Sequence, residues 1–150
     1  MPHADDTTPR ISSARPEMTA RLMAETGLTE AILRELVHRF YTKVRADDVL
    51  SPIFAARIAD WDFHLARMVE FWSSVALMTG RYHGAPVPAH AGLPVTWDHF
   101  ERWLKLFRET AREVCPPSGA AHVIAERIAR SLHMAVERLQ AGPGAIPSLR

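Results

Sequence analysis

A chain of 150 residues is the size of one domain, and 47% apolar with 23% charged residues equips it to bury a core. Its 18 basic and 17 acidic residues leave a net charge of +1, so there is no electrostatic footprint for a nucleic acid. A single cysteine, Cys115, excludes an internal disulfide framework and a cysteine-based zinc cluster, and it suits a cytoplasmic setting.

Residues 1–18 hold Pro2, Pro9 and Pro16 among small polar residues, with little to bury, and read as a mobile arm. Asp5 and Asp6 stand where a secretory signal would carry an apolar run, so none is expected. The domain proper is expected over 19–140, and the Pro/Gly-rich stretch 141–150 as a disordered tail. Within the domain, Leu33, Leu36, Val37, Phe40, Tyr41 and Val44 fall at helical spacing, with Thr29 as cap and Glu30 in the first turn. Asp47, Asp48, Ser51 and Pro52 stop that helix. A second pattern starts near Asp60, with Trp61, Leu65, Met68, Trp72 and Val75 in its stripe and His64 and Phe71 on its flank. Gly80 is its expected C-cap. A third follows Thr96, with Phe100, Trp103, Leu104, Phe107, Ala111 and Val114, and ends at Pro116-Pro117. A fourth carries Ala121, Ile124, Ile128, Leu132, Ala135 and Leu139. No segment alternates with period two, so the expected class is all-α.

Residues 81–95 break this regularity with Pro86, Pro88, Pro94, Gly84 and Gly92. The same prolines and glycines interrupt the longest charge-free run, Tyr82–Trp97, which therefore cannot span a bilayer as a regular helix. No membrane partner is expected. A loop this long inside a helical domain is often functional, and it contains His83 and His90.

Aromatic-rich helices of this kind form an ordinary bundle on periodicity alone. Three polar tips complicate that reading. His64 sits at the edge of an apolar face, Tyr41 lies within an apolar stripe, and Trp103 adds an indole N–H to the third helix. A buried phenol or indole needs a hydrogen-bond partner. The tips either satisfy one another in a plain bundle or face a polar ligand in the interior. Haem with a bound diatomic is such a ligand: the iron takes an axial histidine on one side, and donors on the other hold the diatomic.

The chain resembles the truncated haemoglobins, and within them the group III branch. The resemblance runs from about Leu33 to Leu139. It is carried by Phe40-Tyr41-Thr42-Lys43-Val44-Arg45, Pro52-Ile53-Phe54, Trp61-Asp62-Phe63-His64-Leu65-Ala66-Arg67-Met68, Phe71-Trp72-Ser73-Ser74 and Thr79-Gly80-Arg81-Tyr82. Further on it is carried by Pro88-Ala89-His90-Ala91-Gly92-Leu93-Pro94, His99-Phe100-Glu101-Arg102-Trp103-Leu104 and Glu113-Val114-Cys115-Pro116-Pro117. Each string is weak alone; their order and spacing together are specific. Ser51 stands where glycine is expected, and the Gly-Gly turns of other truncated branches are absent, in keeping with group III.

That resemblance implies a truncated globin, two helix pairs crossed as a two-on-two sandwich around haem b. His90 matches the proximal iron ligand, Tyr41 the main distal hydrogen-bond donor, Trp103 the distal tryptophan and His64 the distal histidine that can act as a gate. Phe54 matches the phenylalanine that stacks on haem. Met68, Phe71 and Trp72 fall on the pocket wall. Arg81, at the start of the loop, is a candidate bidentate partner for a haem propionate or else a surface arginine at a helix end, and Tyr82 shares that ambiguity. The implied ligands are O₂, CO, NO or another diatomic. Two donors imply slow release, which suits oxygen transport poorly. The alternatives are a haem enzyme that detoxifies nitric oxide or peroxide with an external reductase, a haem-based sensor, and the haem-free bundle.

Overall fold

The computed structural model describes residues 12–83 and 96–127, and every regular element among them is helical. Helix α1 is Pro16–Thr26, α2 Glu30–Ala46, α3 Ser51–Ala55, α4 Trp61–Leu77 and α5 Trp97–Val114. A further helix, α6, covers described residues 117–127.

The helix starts follow local chemistry. The Thr29 side chain accepts from the Ile32 N–H at 3.1 Å, and the Asp60 carboxylate accepts from the Phe63 N–H at 3.1 Å. At α5 the Thr96 hydroxyl accepts from the His99 N–H while His99 Nδ1 accepts from the Thr96 N–H, a reciprocal capping box.

Helix α2 is the centre of the packing and lies against α4, α5 and α3. Its stripe Leu33, Leu36, Val37, Phe40, Tyr41 and Val44 is buried throughout. Each such apolar side chain contributes roughly 1.5–3 kcal/mol on burial before the entropy of ordering is set against it. On the opposing helices, Trp72 of α4 stacks on Phe107 of α5 with centroids 5.0 Å apart and planes 16° apart. Phe40 meets Phe107 edge-on at 5.4 Å. Three helices therefore share one aromatic contact zone.

Helix α1 is tied to the far end of α4 by polar bonds. The Thr19 hydroxyl donates to the Leu77 carbonyl at 2.7 Å, and the Ala14 N–H donates to the Thr79 carbonyl at 2.9 Å. Ser73 and Thr79 share a hydroxyl–hydroxyl bond of 2.7 Å in the interior. His122 of α6 meets the Ala76 carbonyl at 2.9 Å, so both α1 and α6 are fastened to the same turn.

Several sequence expectations are corrected. Of the stretch 1–18 expected as a mobile arm, described residues 16–18 are the first turn of α1, which starts at Pro16 and is bonded to the end of α4 through Thr19 and the Ala14 N–H. Its signals are Pro16 in the first turn, Glu17 beside it and Gly27 in the left-handed conformation at φ 73°. The Asp47–Pro52 stop is shorter than expected: Ser51 and Pro52 already open the short helix α3, which proline in the first turn permits. Helix α4 ends at Leu77, with Met78 as a left-handed cap at φ 57°, two residues before the expected cap at Gly80. Residues 84–95, with His90, and residues 128–150, with the second half of the fourth pattern and the tail, lie outside the described residues, as do residues 1–11. No helix among the described residues is long and apolar enough to cross a membrane.

Among the described glycines, Gly119 on α6 leaves the least room for a side chain. A methyl group there would lie 2.8 Å from the Thr26 carbonyl oxygen and 2.8 Å from Leu28 Cδ2. Alanine would gain about 1 kcal/mol in helix propensity. Overpacking against a fixed backbone oxygen costs about 1–3 kcal/mol, so it decides the sign. Gly119→Ala is expected to lower the urea midpoint at unchanged m-value; an unchanged or raised midpoint would show that the α1–α2 corner yields at no cost.

Candidate functional site

The site forms where α2, α3 and α4 meet. Tyr41 is buried at 6% exposure, although its stripe is otherwise apolar. The His64 ring stands edge-on to it, centroids 5.0 Å apart and planes at 85°. Phe54 of α3 closes another side at 6.0 Å, and Trp61 of α4 a third at 5.8 Å. Trp61 also meets His64 at 5.7 Å and carries the Arg45 guanidinium 4.4 Å from its ring centre. Helical periodicity explains the grouping: Trp61 and His64 are one turn apart on α4, so both reach the same stretch of α2.

Burial sets the chemistry of the phenol. Desolvation pushes the Tyr41 pKa up from 10.0 to about 12, and the positive charge of Arg127 works against that rise. Tyr41 therefore keeps its proton at neutral pH and is available as a donor.

Trp103 joins the site through α5. Phe40, the neighbour of Tyr41 on α2, meets the Trp103 ring edge-on at 5.4 Å. The indole Nε1 is buried and has no hydrogen-bond partner among the described residues. An unsatisfied buried N–H costs about 1–3 kcal/mol. The Arg127 guanidinium of α6 lies 3.7 Å over the same indole, and Arg127 is 5% exposed.

The remaining predicted residues divide into a wall and a rim. Met68, Leu65 and Phe54 are half-buried and pack on the core. Phe71 and Trp72 are buried, with centroids 5.6 Å apart. Tyr82 stands perpendicular to Phe71 at 5.1 Å, and its N–H donates to the Ser74 hydroxyl at 2.7 Å. Arg81 is paired with the Glu30 carboxylate at 3.1 Å, at the start of α2. The structure thus gathers Tyr41, His64 and Phe54 at one point and sets Trp103 beside Phe40. Tyr82 sits with Phe71, and Arg81 with Glu30.

Two residues of this arrangement escaped the sequence reading. Trp61 is counted there only as part of an apolar stripe, and its contacts with Tyr41 and His64 depend on how α4 crosses α2. Arg127 has a legible signal. It stands three residues after Ile124 and four after Val123, at inward spacing, where a charged residue is out of pattern.

The chain is similar to known globins. A family model described as bacterial-like globin matches residues 22–139. The chain is 38% identical to the Group 3 truncated hemoglobin ctb of Campylobacter jejuni over 88 residues, covering 55% of this chain and 69% of that protein. It also superposes on a crystal structure of group III truncated hemoglobin from Campylobacter jejuni with a TM-score of 0.68 and 31% identity. That match covers 71% of this chain and 88% of the other.

The buried phenol predicts a specific alkaline response. Its pKa is about 12 in the folded chain and 10.0 in the unfolded one, so between these pH values the unfolded chain binds fewer protons and stability falls as pH rises. The full loss from this group is about 2–3 kcal/mol. Cys115, whose thiol burial raises to about 11, responds in the same direction. Comparing wild type with Tyr41→Phe cancels that shared contribution. Urea midpoints of the wild type should fall more steeply than those of the variant from pH 10 to pH 12; parallel curves would mean that Tyr41 is solvated.

Proposed function

The chain belongs to the bacterial-like globins, among the group III truncated haemoglobins, and from that premise we propose that it is a haem protein that binds diatomic gases, oxygen included. The observation that carries this reading is the buried donor set. Trp103 Nε1 is a buried N–H without a hydrogen-bond partner among the described residues, and Phe40 contacts both its ring and that of the protonated Tyr41 phenol. A plain bundle would leave the indole donor unsatisfied at a cost; a polar ligand in the pocket would satisfy it.

The residues present fit haem. Half-buried Phe54, Leu65 and Met68 offer apolar surface to a flat ring, and the donors are neutral groups suited to a partly negative ligand rather than to a metal cation. Haem, when bound, supplies the iron at which a diatomic binds. His90 is the proposed axial ligand, carried over from the resemblance. Tyr41, Trp103 and His64 are the proposed ligand-side residues. Phe54, Met68, Phe71 and Trp72 form the proposed wall, with Tyr82 at its edge. Arg81 is proposed at the rim, where its pairing with Glu30 competes with a propionate for the same guanidinium.

The work of the chain is to orient and to exclude water. Tyr41 holds its proton on Oη because burial disfavours the phenolate, and it can donate that proton in a hydrogen bond without losing it. Phe40 and Phe54 fix the phenol ring from two sides, so little orientation has to be acquired on binding. Two donors holding a ligand together slow its release and weigh against oxygen delivery. We place reductase-dependent turnover of nitric oxide or peroxide as the second reading, on the same donors.

Added haem should give a one-to-one complex with an intense blue-violet absorption band. His90→Ala should lose the axial imidazole signature in resonance Raman of the ferrous form; an unchanged signature would move the iron ligand elsewhere. Tyr41→Phe should release oxygen about tenfold to a hundredfold faster by stopped flow, the equivalent of one charge-assisted hydrogen bond. An unaltered rate would remove Tyr41 from the ligand side.

A further inference from the structure

Arg127 is a buried cation beside this site, and the proposed haem-binding role has not used it. It comes from α6, is 5% exposed, and its guanidinium lies 3.7 Å from the centre of the Trp103 ring. Burial of an arginine is rare, because removing its charge from water is costly. The indole face is the best of the aromatic surfaces for a cation. That contact does two things to Trp103. It fixes the plane of the ring, since a planar guanidinium stacks flat, and Phe40 and Phe100 hold its edges at 5.4 and 6.1 Å. It also draws ring electrons toward the cation and leaves the Nε1 proton more positive.

Resting on the reading that the pocket holds haem, we propose that Arg127 is a positioning residue that sets ligand specificity. By clamping Trp103 and placing a permanent positive charge behind it, Arg127 makes the pocket favour small monoanions and partly negative ligands over neutral ones.

The charged groups around Trp103 make the attribution testable. Tyr41 is neutral below its pKa of about 12 and cannot supply the charge. A guanidinium stays charged across the whole accessible pH range, whereas a histidine does not. Arg127's charge also reaches Tyr41, where it opposes the rise caused by burial. Both donors thus sense one fixed charge from α6.

The test uses the haem-loaded protein with azide on the ferric form and carbon monoxide on the ferrous form. Arg127→Met keeps the length of the side chain and removes the charge; Arg127→Lys keeps the charge and removes the flat stack. Arg127→Met should lower the ratio of azide to carbon monoxide affinity about tenfold or more, the effect of one nearby charge in a partly screened interior. It should also shift the carbon monoxide stretching frequency toward that of an apolar pocket. Arg127→Lys should recover most of the ratio. In the haem-free protein Arg127→Met should change the near-ultraviolet circular dichroism of the tryptophans, and that change should vanish in a Trp103→Phe background. An unchanged ratio and stretching frequency in a variant that still takes up haem would overturn the specificity role and leave the haem reading intact. A wild type that takes up no haem would overturn both, and would be recognised by the missing absorption band. A ratio lost equally in Arg127→Met and Arg127→Lys would overturn the charge argument, since a fixed plane alone would then account for the effect.

Discussion

A phenol held away from water keeps its proton, and much of the arrangement around Tyr41 follows from that constraint. Burying a hydroxyl without a partner costs several kcal/mol in the strictest reference state and about 1–3 kcal/mol in proteins. The chain places a hydroxyl on its most central helix, α2, at a position where leucine or phenylalanine would complete the stripe. It then surrounds the phenol with rings, from Phe40 on the same helix, Phe54 on α3, and Trp61 and His64 on α4. Rings rather than carboxylates next to the hydroxyl leave the phenol as a donor. Placed there, an ionised carboxylate would accept the phenolic proton and occupy the donor permanently.

The rest of the fold serves to hold α2 and α4 at the crossing that makes this possible. The pair Thr19–Leu77 and the hydroxyl bond between Ser73 and Thr79 secure the far end of α4, well away from the phenol. The ion pair of Arg102 with Asp47, at 2.7 Å, and that of Lys43 with Glu113, at 2.8 Å, link α5 to α2 along its outer side. The Lys43–Glu113 pair is solvent-accessible and contributes little stability, about 0–1 kcal/mol, while the Asp47 carboxylate is only 10% exposed. Their role is registration: they fix which turn of α5 faces Phe40, and hence where Trp103 stands.

Legibility in the sequence tracks the range of the interaction. The caps Thr29 and Thr96, and the start near Asp60, are legible because capping is decided within four residues. The α2 stripe was legible because a buried helix repeats its own signal every turn. Helix α1 was missed because its apolar content is thin and its anchors are the hydroxyl of Thr19 and the backbone of Ala14, which only the distant turn at 77–79 gives meaning. Tyr41, His64, Phe54 and Trp103 could be named from motif order, but their mutual distances could not, since these depend on crossing angles between helices. Arg127 lay between these cases. Its spacing marks it as facing inward, and the tertiary contact with Trp103 is one that spacing alone does not reveal.

The rings of the interior form one unbroken succession. Phe54 touches Tyr41, Tyr41 touches Phe40, Phe40 touches Phe107, Phe107 lies on Trp72, Trp72 meets Phe71 and Phe71 meets Tyr82, each step between 5.0 and 6.0 Å. Each inner member borders two others, so its preferred tilt depends on the residues on either side. Replacements along this succession are therefore epistatic: a change harmless beside one neighbour is harmful beside another. Over generations such positions drift in concert, and a ring lost at one of them favours a compensating change at the next.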